Sequence, residues 1–320
     1  MLTLYLIQGL LPIVLIAWLA IFPPRSSVSF WVHSIAIGMT IVALSFVGIW
    51  TFPPWWVVYA FAGLLAATVI GSLARQRAST RWPQGVFAWI VFFGFGALGL
   101  YSANETRIAY AATAIPPKQT INLASPLGPG TYLVANGGAA LSVNAHAELL
   151  DQSVPAHRLY WGTAHGVDLV ALDRWGLRAD GVMPVDPHRY VIFGRAVIAP
   201  CAGKVIAAVD GLPDMLVPQV DHDHLAGNHV ILRCADADIL LGHFHKGSVR
   251  VQGGQRLNVG DPIAQVGNSG NTSEPHLHIN AQQPGTSEAP FSGAPIPIRI
   301  DGRYLVRNSR LIVRAHGNQP

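Results

Sequence analysis

The feature that most limits how this chain can fold is a set of four nearly charge-free apolar stretches in its first third: Leu2 to Phe22, Phe30 to Trp50, Trp55 to Leu73 and Val86 to Tyr101. Each approaches the roughly 20 apolar residues that carry a helix across a bilayer. Trp50, Trp55, Trp56 and Tyr101 stand at their ends, where amphipathic rings suit the membrane interface. We read four transmembrane helices, the fourth the shortest and punctuated by Gly94, Gly96 and Gly99. Charge and histidine crowd beyond Ser102, so the chain has two parts. With 51% hydrophobic residues, 12% charged and a mean hydropathy of +0.35, it is too apolar for a soluble protein of 320 residues.

The first stretch lacks a basic start and a small-residue cleavage site, which makes it a retained anchor rather than a removed signal peptide. Arg25 lies in the first connection and Arg75, Arg77 and Arg81 in the third, whereas Thr51 to Pro54 carries no charge. Arginine marks the cytoplasmic side, so both termini, and everything after about Asn104, are expected outside the cytoplasmic membrane. The lipid bilayer is thus the first partner. The formal charge of +4 forms no basic stripe, and we exclude nucleic acid as a partner. In an oxidising compartment Cys201 and Cys234 can form a disulfide if neighbouring strands bring them together; neither sits in a C-x-x-C metal motif.

The expected organisation is transmembrane helices over 1–103, a linker over 104–121 marked by Pro116 and Pro117, a β-domain over 122–283 and a tail over 284–320. Within the β-domain, short runs rich in Val, Ile, Leu and Tyr alternate with Gly, Pro and Asp turns: Tyr132 to Ala135, Val167 to Leu172, Ala196 to Ile198, Lys204 to Val209, His229 to Arg233, Ile239 to Gly242, Pro262 to Gln265 and His276 to Asn280. The fold class is therefore an N-terminal α-helical transmembrane segment followed by an all-β antiparallel domain. In the tail, Ile296 to Leu305 and Leu311 to Arg314 can add edge strands, with no chemistry of their own.

The strongest local signal is Glu274-Pro275-His276-Leu277-His278. On a strand, residues two apart share a face, so both histidines can serve one site while Leu277 packs inward. His243 and His245 follow another apolar run, and Asp168 sits inside Val167-Asp168-Leu169, where an unpaired carboxylate is costly. Imidazoles plus one carboxylate, with a position open for water, form the donor set of a catalytic zinc site.

The segments Gly227-Asn228-His229-Val230, Leu241-Gly242-His243-Phe244, Gly260-Asp261 and Gly267 through His278 together resemble the LytM/lysostaphin-type peptidases, in order and spacing, over roughly Ile121 to Gln283. The resemblance implies a lysostaphin-like fold and a zinc metalloendopeptidase with one Zn2+ per chain. It implies hydrolysis of peptidoglycan stem or cross-link peptides at the outer face of a bacterial cytoplasmic membrane, on the periplasmic or extracellular side. It makes Asp168 and His278 metal ligands and His276 and His243 catalytic; we take His276 as the general base and His243 as the group that stabilises the intermediate or moves the proton, two roles that can be exchanged. The chain departs from the family at the early ligand, where Ala164 replaces the histidine usually found four residues before the aspartate. We take His146, in Val143-Asn144-Ala145-His146, ahead of His165, whose odd offset from Asp168 points it to the opposite face of a strand; His157 comes third, as a loop residue. The departure keeps a second reading open, a catalytically degenerate module that binds the wall or activates another hydrolase, and a third, a peptidase of secreted polypeptides. A membrane-protein regulator is a further partner to test. His222 and His224 are read as the rim of the cleft, His229 as structural and His245 as solvent-facing or supporting.

Overall fold

The computed structural model describes residues 2–75, 80–116 and 119–315; Arg77, Pro117 and His316 lie outside the described residues. The chain divides into two compact units, Met1–Ala111 and Ala112–Pro320.

Among the described residues the first unit holds four helices, α1 (Leu2–Ile21), α2 (Ser27–Val47), α3 (Val57–Arg75) and α4 (Val86–Ala111). Ser26 caps α2 by accepting a hydrogen bond from the Ser29 amide at 3.1 Å. Phe30, Ile37, Ile41 and Leu44 recur along α2 at helical spacing and form its buried stripe with Ile16 and Leu19 of α1 and Phe61 of α3. Helices α2 and α4 approach closely because Gly99 presents no side chain: a Cβ there would meet the Ala36 Cβ at 3.2 Å. Thr40 and Ser102 exchange a hydrogen bond at 3.0 Å across the same contact.

Helices α2, α3 and α4 are each long and apolar enough to cross a membrane, while α1 presents a shorter apolar run over Leu6–Ile21. Two sequence expectations need correction. The fourth helix is the longest of the four, at 26 residues, and it runs through part of the segment read as linker. Glu105 and Arg107 are good helix formers, so charge ends the apolar run there without ending the helix.

The second unit is built from strands β1 (Ile121–Leu123), β2 (Gly130–Asn136), β3 (Val167–Leu172), β4 (Ala196–Ile198), β5 (Gly203–Val209), β6 (Asn228–Cys234), β7 (Ala237–Phe244), β8 (Arg256–Leu257), β9 (Pro262–Gln265), β10 (Leu277–Gln282), β11 (Pro295–Ile296), β12 (Ile298–Ile300) and β13 (Arg310–Val313). The main sheet runs β13-β2-β3-β10-β7-β6-β5-β8, with β11 on β10, and every pairing in it is antiparallel. Strands β4 and β9 form a small antiparallel pair. The exception to the expected pattern is β1, which pairs parallel with β12 of the tail.

One face of the main sheet carries the core, in which Leu169, Leu232, Leu241, Leu277 and Ile279 are buried together with Val197 and Ile263 of the smaller pair. Adjacent strands β5 and β6 bring the two cysteines together, and Cys201 and Cys234 form a disulfide with Cα atoms 6.1 Å apart.

Candidate metal centre

The site grows out of the pairing of β3 with β10, in which Asp168 lies directly opposite His278. Side chains alternate on both strands: Val167, Leu169 and Ala171, like Leu277, Ile279 and Ala281, enter the core. Asp168 and His278 are therefore thrown together on the other face. A loop supplies the third group: Asn144 caps the short 3-10 helix Ala145–Leu150 by accepting from the His146 amide at 3.1 Å, and donates from its own amide group to the carbonyls of Gly138 and Gly166. This brings His146 Nε2 to 3.0 Å from Asp168 Oδ2. His278 Nδ1 lies 2.8 Å from Asp168 Oδ1. The ligand atoms of His146, Asp168 and His278 all lie within 4.8 Å of one another.

Two further histidines close the cluster. His276 directly precedes β10 rather than lying in it, and its Nε2 stands 3.6 Å from Asp168 Oδ1. Its Nδ1 donates to the Glu274 carbonyl at 2.9 Å, which leaves Nε2 as the acceptor facing the site. His243, near the end of β7, has a left-handed backbone with φ of 63°. Regular alternation would put Leu241 and His243 on one face; the left-handed step lets Leu241 and Phe244 both enter the core while His243 turns to the cleft beside Leu240. Its Nδ1 donates to the Ser269 carbonyl at 2.9 Å, and its ring centroid lies 4.7 Å from that of His276.

His165 is buried, but it lies in the turn before β3 and outside the cluster, so strand parity is not what separates it from Asp168. His157, expected in a loop, stands in the one-turn helix Pro155–Arg158, half-buried, with Nδ1 donating to the Asp151 carbonyl. His224 pairs with Asp221 at 2.8 Å on an exposed loop. His245 has a specific partner, with Nδ1 2.6 Å from Asp214 Oδ2.

Sequence reasoning missed three supports of the cluster. Asn136 donates to Asp168 Oδ2 at 2.9 Å across the bulged end of the β2–β3 pair. Arg307 of the tail, the segment read as carrying no chemistry, donates to Asn136 Oδ1 at 2.8 Å and to the Ala135 carbonyl. Asn280, fully buried, accepts from His278 Nε2 at 3.0 Å. Only the last has a sequence signal, being two residues beyond His278 on the same strand face.

Burial disfavours the Asp168 carboxylate, yet the pull of the neighbouring His146 and His276 and the close polar contacts with His146 and His278 hold it well below the ordinary range. Burial likewise opposes the charged form of His146, but Asp168 raises it overall. Burial, with His276 and His278 alongside, pushes His243 well down; burial also lowers His278. Burial brings Arg307 down to about 10 against the pull of Asp168.

The donor chemistry fits a cation. The Asn280 amide NH2 donates to the Gly162 carbonyl at 2.9 Å, which orients its Oδ1 toward His278 Nε2 and commits the ring proton there. Neutral His278 then aims the lone pair of Nδ1 at a carboxylate oxygen, an arrangement that requires a proton or a metal ion between them. Two imidazole nitrogens and a carboxylate, one ring braced by a buried amide, suit zinc. Gly166 makes room for the two rings: a Cβ there would fall 2.5 Å from His278 Cε1 and 3.0 Å from His146 Cδ2. Beside the cluster opens a cleft of about 250 Å³ walled by Leu149, Tyr160, Leu225, Leu240 and Phe291, with Glu148 as its one carboxylate.

Comparison with known proteins bears on the same residues. Residues 191–290 match Peptidase family M23, a span that contains His243, His276 and His278 and begins after His146 and Asp168. No curated protein matches the chain. Among solved structures, the chain is similar to the catalytic domain of lysostaphin from Staphylococcus simulans, at 20% identity and TM-score 0.26 over 39% of this chain and 71% of that one. It is also similar to a zinc-containing peptidase from Vibrio cholerae, at 20% identity and TM-score 0.23 over 36% of this chain and 46% of that one. A putative M23 peptidase from Pseudomonas aeruginosa gives 18% identity and TM-score 0.27 over 56% and 53%. The chain thus spans about half the length of the latter two. Over residues 191–290, behind its apolar N-terminal helices, the chain is similar to Peptidase family M23.

Proposed function

We propose that the β-unit is a zinc-dependent endopeptidase that cuts stem or cross-link peptides of peptidoglycan, held at the outer face of a bacterial cytoplasmic membrane by a multi-pass helical anchor. The observation that carries the proposal is the convergence of His146, Asp168 and His278 within 4.8 Å, with His276 and His243 alongside. A degenerate binding module has no need of five such residues in one place. A disulfide between Cys201 and Cys234 supports an oxidising compartment, in agreement with arginine at the first and third connections on the cytoplasmic side.

His146, Asp168 and His278 would hold the ion, which when bound supplies Lewis-acid activation of water and of the scissile carbonyl. His276 accepts the water proton at Nε2, the nitrogen left free by its bond to the Glu274 carbonyl. His243, locked in the same tautomer by Ser269, presents Nε2 for carrying a proton toward the leaving amine and, once protonated, for donating to the oxyanion. The apolar cleft takes an uncharged side chain of the substrate peptide.

The test is zinc content of the full chain in detergent, measured beside release of peptides from purified wall material. One zinc per chain with peptide release supports the enzyme. A folded chain that holds zinc yet leaves wall peptides intact and cuts an unrelated polypeptide assigns it to secreted substrates, and a folded chain without zinc assigns it to binding.

A further inference from the structure

The helical unit contains a buried polar group that peptide hydrolysis does not use. His33 on α2 is 3% exposed, and neither ring nitrogen has a hydrogen-bond partner among the described residues. One face of its ring stacks on Phe95 at 3.9 Å between centroids. An imidazole carries a donor and an acceptor, and in surroundings without water both need partners.

His33 lines a cavity of about 370 Å³ whose other polar walls are Arg25, Ser26, Ser29, Thr80 and Gln84. The remaining walls are apolar, among them Trp18 of α1 and Val91 of α4. Those same two residues line a second cavity, of about 430 Å³, bounded otherwise by Val14, Leu15, Ile90, Phe95 and Leu98 together with Gly94. The two spaces adjoin at Trp18 and Val91, and together they mark a path between α1 and α4 that is polar at the end near Arg25 and lined by apolar residues beyond Trp18.

The amides at the start of α2 are already taken, Ser27 by the Thr80 carbonyl, Val28 by the Arg81 carbonyl and Ser29 by the Ser26 hydroxyl. Attraction for an anion at this end therefore comes from Arg25 and not from the helix terminus. No acidic residue occurs in the sequence before Glu105, which stands 14 residues beyond Val91 on α4, about 21 Å along the helix, so no carboxylate of this unit lies beside Arg25. His33 lies six residues into α2, about 9 Å along the axis from its first residue.

A cation at the start of α2, a buried hydrogen-bonding ring about 9 Å further along it, within reach of the long arginine side chain and a lipid's glycerol together, and an apolar path beyond match one kind of molecule. We propose that this track binds an anionic glycerophospholipid of the surrounding leaflet. Its phosphate sits at Arg25, an ester carbonyl accepts from the His33 ring N–H, and an acyl chain lies between α1 and α4. Basic pockets between membrane helices select anionic headgroups in this way.

The test is native mass spectrometry of the full chain in detergent with dioleoyl-phosphatidylglycerol, dioleoyl-phosphatidylcholine or inorganic phosphate as probe. Phosphatidylglycerol is expected to bind about fivefold more tightly than phosphatidylcholine, and Arg25→Gln to abolish that difference. His33→Leu weakens both lipids alike, because the ester carbonyl is common to them. Val14→Trp, at an exposed position in the apolar part, blocks the chain while leaving His33 and Arg25 in place, and keeps the test decisive should the buried His33 variant fail to fold. Equal affinity of wild type, Arg25→Gln and Val14→Trp for phosphatidylglycerol would overturn the proposal. So would retention of inorganic phosphate with no lipid bound, which would make the ligand a free anion. A co-purified protein in place of lipid would likewise overturn it.

Discussion

His33 in the helical unit and His278 in the β-unit are almost equally buried, at 3% and 5% exposure, yet they sit in opposite circumstances. His33 is stacked on a phenyl ring with neither nitrogen bonded among the described residues, whereas His278 has Asp168 on one nitrogen and Asn280 on the other. Burial alone thus says little about what a histidine does. Its partners decide: a carboxylate and a braced amide make His278 a candidate metal ligand, and the lack of partners among the described residues makes His33 a candidate to receive a ligand from outside.

The largest effects should follow from removing the partners of the metal centre. His278→Ala or Asp168→Ala is expected to bring zinc from near one per chain to near none, and peptide release down by at least about 10³-fold, or about 4 kcal/mol of barrier. Elemental analysis beside a cleavage assay measures both, and wild-type zinc in either variant would end the reading of this pair as ligands. His276→Ala and His243→Ala should keep the metal and lose about 10² to 10⁴ in turnover, as expected for groups that move protons. Loss of zinc in these two would erase the proposed division between ligands and catalytic groups.

Smaller effects sharpen the contrast between braced and unbraced histidines. Asn280→Ala frees the His278 ring, and Gly166→Ala pushes it, so each should weaken zinc binding about 10- to 100-fold in a competition titration. His146→Ala should weaken it further still, while His165→Ala leaves it within about twofold; the reverse order would hand the early ligand to His165.

The smallest effect concerns His229, an intermediate case with one backbone bond, to the Gly227 carbonyl at 2.7 Å. Burial lowers it from 6.5 against the opposing pull of that carbonyl. Between the lowered folded value and 6.5 the unfolded chain binds more protons, so its share of stability is complete above 6.5 and lost as pH falls through that window. His229→Gln should flatten the acid side of the melting curve by no more than about 2 °C. A variant with unchanged acid sensitivity would remove His229 from that account.

Much of both units was legible in the sequence, because the relevant signals are local. Apolar runs long enough to span a bilayer announce α2, α3 and α4, and the positions Val167–Leu172 and Pro262–Gln265 carry strands where alternation and turn residues predict them. Asp168 inside an apolar strand and the even spacing of His276 and His278 marked the centre. The length of α4 was not legible from hydropathy, since a helix continues on backbone hydrogen bonds after its apolar run stops. Nor was the strand boundary that leaves His276 just outside β10, or the parallel partner of β1, which comes from residues far along the chain.

The sequence by itself determined the division into an apolar helical part and a β-rich part, and the identity of the residues able to bind a metal, because composition, periodicity and side-chain chemistry are properties of short segments. Only the tertiary structure decided which early histidine reaches Asp168, that Asn136, Arg307 and Asn280 brace the cluster, and that His243 turns out of its strand at a left-handed residue. Those outcomes depend on register between strands, on a bulge and on a loop folded back over the sheet. Each is settled by contacts between residues tens or hundreds of positions apart, which no local pattern encodes.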